Sequence, residues 1–394
     1  MNKAQVCDVA VIGGGPAGCA TALALARRLK GRICIIEPGR GSERRVGETL
    51  LPDTRLLLDE LGLWEDFLSQ GHEVCLGSCS AWGDPALGYN DFVLNPHARG
   101  WHLDRQRFDD FLLRRAGAGA DTQLINARLT DCADRGPDGF KLELIAGDGS
   151  MSWLSPRYVV DASGYRAAFA RRVGAQPAFL DRLIFVYGFF DNCQAASSSR
   201  LTLLEAAESG WWYAAQLPDR QLAVAFATDP DLLRSAGLSR EDRWLAHAFQ
   251  TQHVATRLDG CNFRRGSLCI RPAASCLLDS VSGGRWLAAG DAAAVYDPLA
   301  AQGIHKALSE GIFAANVITR ALTRNADVSS EYAAATAERF EEYRINRNYF
   351  YAREMRWKHS PFWQRRHQRS DLQGHISAGR SLPEQRSLPH QAVE

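Results

Sequence analysis

Residues 6–29 read VCDVAVIGGGPAGCATALALARRL: a short apolar run, three consecutive glycines, then apolar residues at helical spacing. The run Val6–Ile12 has the composition of a buried strand, and Pro16–Lys30 that of the helix after it. A second apolar run, RICIIE at Arg32–Glu37, closes a βαβ unit of the length a nucleotide-binding fold requires. In Gly13-x-Gly15-x-x-Gly18, Gly13 permits the tight turn and Gly15 lets backbone approach a pyrophosphate. Gly18 lets helix and strand pack closely. Pro16 and Ala17 then open a helix whose N-terminal amides favour an anion, and Glu37 can bond ribose hydroxyls while repelling a 2′-phosphate. Many glycine clusters are only turns. Here strand, helix and acidic residue are all in register, which makes a dinucleotide site the better reading.

A second motif separates FAD from NAD. From Trp286 the chain reads WLAAGDAA and, from Asp297, DPLAAQGI. Asp291, at the end of an apolar strand, can hold ribityl hydroxyls. Pro298 shapes the loop, and Gly303 and Ile304 open a helix whose amides can face a flavin pyrimidine ring and stabilise the negative charge of its reduced form. An ordinary strand, turn and capped helix would explain this stretch alone. It does not explain two matched motifs so far apart in sequence.

With both motifs in place, the chain resembles the flavin-dependent monooxygenase superfamily of the p-hydroxybenzoate hydroxylase type, and within it the tryptophan-halogenase-like branch. The resemblance rests on GGGPAG at 13–18, Glu37, VGETLLP at 46–52, LDRQRFDDFLLRRA at 103–116, YVVDASG at 158–164, GDAAAVYDPLAAQGI at 290–304 and SPFWQRR at 360–366. It implies an α/β fold: a Rossmann-like FAD-binding domain, an inserted antiparallel-sheet substrate domain, and C-terminal helices. By the same resemblance Arg105 lies along the FAD phosphates, Gly47, Glu48 and Thr49 line the flavin, and Asp161 and Gly164 sit near the cofactor. Expected domains are 1–75, 100–175 and 285–325 for FAD binding and 76–99 with 176–284 for substrate. Residues 326–367 would form a C-terminal helical region and 368–394 a disordered tail.

The departures from the branch bear on activity. Its halogenases use a lysine beyond the VGE segment, and here no lysine occurs between Lys30 and Lys141. Arginine stays protonated and is a poor substitute. The halogenase WxWxIP signature is also incomplete, the nearest stretch being GWWYAAQLP at 210–218. What remains is oxygen insertion into an aromatic, indole- or phenol-type ring through a flavin hydroperoxide, with FAD, O2, and NAD(P)H or a separate flavin reductase as electron source. Members lacking the lysine resemble flavoproteins that hydroxylate a tryptophan inside another protein to build a tryptophylquinone, as in quinohemoprotein amine dehydrogenase maturation; the partner implied is a protein or peptide bearing that tryptophan. Rival readings are a reductase or dehydrogenase of the geranylgeranyl-reductase type and a flavoprotein that only chaperones a partner.

Candidate bases are Glu48, His305 and His102, although a lone histidine is more often structural. Trp211, Trp212 and Tyr213 could stack on an aromatic substrate, and as strand neighbours some of them could equally be core. No cluster with metal-ligand spacing appears, so no metal is read. The helix expected over 328–358 would show a basic-aromatic surface of Tyr343, Arg347, Phe350, Arg353, Arg356 and Trp357. It is read as packing on the flavin domain first and docking a protein second, since no nucleic-acid motif accompanies it.

The totals agree with an enzyme. The chain has 394 residues, 46% hydrophobic and 23% charged, with a net charge of +1 that favours neither nucleic acid nor membrane. Ten scattered cysteines without a CxxC pair read as reduced, structural thiols, with Cys75 and Cys79 able to share a helical face or meet in a loop. The glycine motif follows Met1 too closely for a signal peptide, and no run could span a bilayer, so the expected location is cytoplasmic. Helices are also expected over Asp53–Leu63, with Leu56, Leu57, Glu60 and Leu61 at three- and four-residue spacing, and after Asp104, buried through Phe108, Phe111, Leu112 and the stem of Arg115.

Overall fold

The computed structural model describes residues 5–39, 46–193 and 199–374. The opening stretch forms the strand Gln5–Ile12, a glycine turn and the helix Pro16–Ala26. That helix stops four residues short of Lys30, in a turn where Arg28 and Leu29 both donate to the Leu25 carbonyl. Ile33–Ile36 pairs parallel to the first strand, with Val9 opposite Ile33 and Ile12 opposite Ile36. On its other side the first strand pairs parallel with Met151–Asp161, which in turn pairs parallel with Trp286–Ala288. These central strands are buried on both faces, which is why they read as continuous apolar runs.

The helix Gly303–Arg324 crosses the first helix closely. A Cβ on Gly311 would lie 2.5 Å from the Ala17 carbonyl oxygen, so glycine there sets the approach. The two sequence motifs therefore lie side by side, although one opens the chain and the other follows residue 285.

A second sheet runs in the order Asn262–Phe263, Ile184–Asp191, Gln221–Thr228, Gly210–Leu217, Leu201–Ala207, Gly77–Ala81 and Gly88–Asp91. It is antiparallel except where Leu201–Ala207 meets Gly77–Ala81. Both faces of Gly210–Leu217 are buried. One face packs beneath three short helices, Pro230–Ala236, Glu241–Ala248 and His253–Leu258, through Leu233, Trp244 and Val254. The other packs against Tyr351, Phe362 and Trp363 of the C-terminal helices. The three short helices were not anticipated, because each offers only one or two buried turns of apolar spacing. A small sheet of Thr49–Leu50, Gly100–His102 and Glu73–Cys75 links the two large ones.

Several expectations need correction. In the helix Thr54–Glu60 the inward residues are Thr54 and Leu58, followed by buried Leu61 at its end, whereas Leu56 is 57% exposed, because the helix is only two turns long and presents a narrow face. Asp104 does cap the helix Arg105–Gly117, accepting from the Arg107 amide at 2.9 Å, but Arg115 is exposed and ion-paired with Asp66 rather than laid along the core. The long helix spans Ser329–Ala352. Its supposed basic-aromatic surface is split: Tyr343 and Arg347 are buried, Arg347 bonding Asp181 at 2.7 Å, whereas Phe350 is exposed. Arg356 is tied to Glu354.

A further helix, Pro361–Gly374, occupies the beginning of the expected tail, anchored by buried Phe362 and Trp363. The rest of that tail and the loop at 40–45 lie outside the described residues. Not all thiols are reduced: Cys193 and Cys261 are disulfide-bonded, brought together by the edge of the second sheet across 68 residues. Cys75 and Cys79 lie on separate strands, each buried. Among the described residues no helix is long and apolar enough to cross a membrane.

Candidate active site

Between the two sheets lies a cavity of about 890 Å3, within the range typical of small-molecule sites. Its lining collects the scattered sequence signals. Gly13, Gly15, Pro16 and Ala17 come from the first turn and Glu37 from the end of the second strand. Gly47, Glu48 and Thr49 join them with Arg105, and Asp291, Pro298, Gly303 and Ile304 complete the set.

Local geometry explains the glycines. Gly13 has φ +108, and a Cβ there would lie 2.4 Å from the Ala162 carbonyl oxygen. Gly18 does not reach the cavity; a Cβ on it would lie 2.0 Å from the Gly13 carbonyl oxygen, so it serves strand–helix packing. Gly15 and Gly303 are different: a Cβ on either would meet nothing within 4 Å, leaving bare backbone at two helix N-termini that border the cavity. These are the surfaces that the pyrophosphate and the flavin ring of FAD require, so the residues present fit that cofactor. Glu37 lines the same end and accepts from the Gly14 amide at 2.6 Å. Arg105 donates to the carbonyls of Val46 and Gly47 at 2.6 and 2.8 Å and pairs with Asp109 at 3.2 Å, which fixes its guanidinium at the wall. Asp161 stands behind the wall, its carboxylate accepting from the amides of Ser163, Phe169 and Ala170 and so shaping the loop that carries Gly164.

The opposite wall is aromatic. Phe185 and Tyr187, then Trp211 and Tyr213, alternate on adjoining regions of the second sheet and face the cavity. Phe185 meets Trp211 edge to face with centroids 5.0 Å apart. Strand alternation sends Trp212 the other way, onto Phe226 and Trp244 under the short helices, so it is core and not a substrate contact. His305 is likewise directed away: Ile304 lines the cavity, but one residue further round the helix the His305 ring bonds Thr54 Oγ1 at 3.2 Å. Burial holds its pKa below the ordinary value, with Asp53 opposing. His102 is buried outside the cavity with Nε2 2.8 Å from Thr202 Oγ1, and burial lowers its pKa to about 4.

Glu48 remains. It is 1% exposed, lines the cavity, and neither carboxylate oxygen has a hydrogen-bond partner in good geometry. Burial pushes its pKa up to about 7, opposed by the Arg105 guanidinium and more weakly by nearby amides and the Tyr213 hydroxyl. Glu48 and Arg105 also border a second hollow of about 80 Å3, together with Asp104, Gln106 and Gln221.

Sequence reasoning gave Asp297 no role of its own, yet it organises the loop before Gly303. Its Oδ1 accepts from the Leu299 amide at 2.9 Å and its Oδ2 from the Tyr351 hydroxyl at 2.7 Å. Trp211 Nε1 donates to that same Tyr351 oxygen at 3.0 Å, and Arg347 Nε lies 3.5 Å from Asp297 Oδ2. The alternation Phe185, Tyr187, Phe189 was a legible signal for the aromatic wall; Asp297 and its partners, from three separate elements, gave none.

Comparisons with known proteins agree with this geometry. The family model described as FAD binding domain matches residues 6–341. LodB of Marinomonas mediterranea, described as an FAD-dependent oxidoreductase, is 29% identical over 371 residues, covering 93% of this chain and 98% of LodB. The myxobacterial chondrochloren halogenase CndH shares the fold with a TM-score of 0.82 at 22% identity, over 94% of this chain and 89% of its own. QhpG, a peptidyl tryptophan dihydroxylase essential for tryptophylquinone cofactor biogenesis, superposes with a TM-score of 0.71 at 25% identity, over 92% of this chain and 79% of its own.

Proposed function

Because this chain belongs to the FAD binding domain family and is an FAD-dependent oxidoreductase, we propose that it is a monooxygenase that hydroxylates an aromatic ring, a tryptophan side chain presented by a peptide or protein. One observation carries the reading: Glu48, a buried carboxyl that, unlike the hydrogen-bonded Asp297, has no fixed hydrogen-bond partner, stands between the FAD cradle and an aromatic wall in the same cavity. Bound FAD, once reduced, supplies the activation of O2. Phe185, Tyr187 and Trp211 offer faces and edges on which an indole can stack, and together with Tyr213 they exclude water from the reacting ring. Glu48, with a pKa near the working pH, takes the proton that leaves the ring carbon as the new C–O bond forms and aromaticity returns. The small hollow past Asp104, Gln106 and Gln221 gives that proton a polar way out. The likeness to QhpG supports a peptidyl tryptophan as the substrate class.

Halogenation is disfavoured despite the shared fold with a halogenase, since no lysine lines the cavity among the described residues and none occurs between Lys30 and Lys141. The test is mass spectrometry of tryptophan-bearing peptides incubated with the FAD-loaded protein, a reductant and isotopically labelled O2, with and without chloride or bromide. A gain of labelled oxygen on tryptophan supports the reading. A gain of halogen, or bond reduction without oxygen gain, overturns it.

A further inference from the structure

Behind the Glu48 side of the cavity runs a buried chain of side-chain hydrogen bonds that the proposed chemistry does not use. The Tyr213 hydroxyl lies 3.1 Å from Thr49 Oγ1, Thr49 Oγ1 lies 3.3 Å from Thr202 Oγ1, and Thr202 Oγ1 lies 2.8 Å from His102 Nε2. The four residues come from four strands in two sheets: Thr49 and His102 face each other in the small sheet, and Thr202 and Tyr213 lie on neighbouring strands of the second large one. All four are buried. Thr49 and Tyr213 line the cavity, whereas Thr202 and His102 do not.

A hydroxyl rotates freely unless a partner fixes it, and each hydroxyl in such a chain passes its orientation to the next. His102 is the fixed end. Desolvation keeps its ring neutral, so Nε2 either donates or accepts and does not do both. With the proton on Nε2 the ring donates to Thr202, Thr202 to Thr49 and Thr49 to the Tyr213 oxygen, which leaves the Tyr213 O–H free to turn into the cavity; with the proton on Nδ1 every bond reverses and Tyr213 donates to Thr49.

We propose that Thr202 and His102, the latter protonated on Nε2, are positioning residues: through Thr49 they leave the Tyr213 hydroxyl directed toward the Glu48 carboxyl and so govern when Glu48 takes and gives up its proton. This rests on the reading of Glu48 as the group that handles the proton. The charged and titratable groups facing Glu48 are Arg105 from the helix after it and Tyr187 and Tyr213 from the second sheet, with Asp104 on the small hollow. Of these, Tyr213 is the neutral donor whose direction the chain decides. Breaking the chain lets Tyr213 turn its O–H onto Thr49, and the lowering influence of that hydroxyl on Glu48 is lost.

The experiment follows the infrared carboxyl band of Glu48 against pH in the oxidised, FAD-loaded protein. Glu48→Gln identifies the band by removing it. Thr202→Val is expected to move the midpoint up by about half a pH unit to one, a three- to tenfold gain in proton affinity. Thr202→Ser is expected to restore the wild-type midpoint, because it keeps the hydroxyl. His102→Gln, which retains a side-chain donor and acceptor without the imidazole tautomer, serves if Thr202→Val does not fold, with the same upward displacement expected. Folded variants at both positions that titrate like wild type overturn the proposal. Buried Asp161 and Asp297 contribute bands that survive Glu48→Gln; a spectrum in which Glu48→Gln removes no titrating band overturns the Glu48 reading itself, and the positioning role with it.

Discussion

Gly15 and Gly18 belong to one motif and do opposite work. Gly18 is hemmed in by backbone, so Gly18→Ala forces strand and helix apart, at about 1–3 kcal/mol by overpacking. Gly15 has φ −75, which any residue adopts, and open space where a Cβ would go. Gly15→Val is therefore expected to fold like wild type while weakening FAD binding about tenfold or more, since the added methyls occupy the approach of the pyrophosphate. Urea unfolding of the cofactor-free proteins and FAD titration separate the two. Equal losses of stability would show that the open face at Gly15 is not a ligand surface.

Glu48 gives a pH prediction on the same scale. Its pKa is raised from an ordinary 4.5 to about 7 in the folded protein. A raised carboxyl pKa means that the native state binds the proton more tightly, so stability falls as pH rises between those values and is flat above them. The loss is about 3 kcal/mol at full extent. Cofactor-free Glu48→Gln is expected to lack this slope, gaining on wild type from pH 4.5 to about 7 and holding its lead above. Parallel stability curves for the two proteins would refute the buried, unpartnered carboxyl.

On the scale of the element, the strand Gly210–Leu217 is buried along its whole length, which hides its two faces from composition alone. The sequence reading named Trp211, Trp212 and Tyr213 together because nothing local ranks them. Alternation then divides them, with Trp211 and Tyr213 facing the cavity and Trp212 packed under the helix Glu241–Ala248. Trp212→Phe is expected to cost about 1–3 kcal/mol of stability and leave kcat/KM of the folded fraction unchanged. Trp211→Phe removes the hydrogen bond to Tyr351 and reshapes the wall, so kcat/KM falls. Chemical unfolding with turnover per folded molecule tests the pair, and equal turnover losses would sink the assignment. The helix Ser329–Ala352 carries the same lesson: its arginines and aromatics suggested a surface, but tertiary partners drew Tyr343 and Arg347 inward.

For the whole molecule, the group Asp181, Asp297, Tyr351 and Arg347 joins the segment that leads into the strand Ile184–Asp191, the loop before Gly303 and the C-terminal helices behind the cavity. Arg347→Met would leave two carboxylates facing each other without their cation, a change expected to cost about 3–5 kcal/mol by urea unfolding at neutral pH. A cost below about 1 kcal/mol would mean that the group is solvated. The sequence by itself determined the βαβ frame, the FAD motifs and the residues that line their end of the cavity, because those contacts are made by backbone within short, glycine-marked turns whose spacing is visible along the chain. It also pointed to an aromatic substrate side through Trp211 and Tyr213. Only the tertiary structure decided that Glu48 and not His305 faces the cavity, that Trp212 turns from it, and that Asp297 organises the loop beneath it. Those outcomes depend on which way a side chain points once two sheets and four distant segments pack together, and on burial that raises or lowers a proton affinity. Neither is a property of a residue or of its neighbours in sequence.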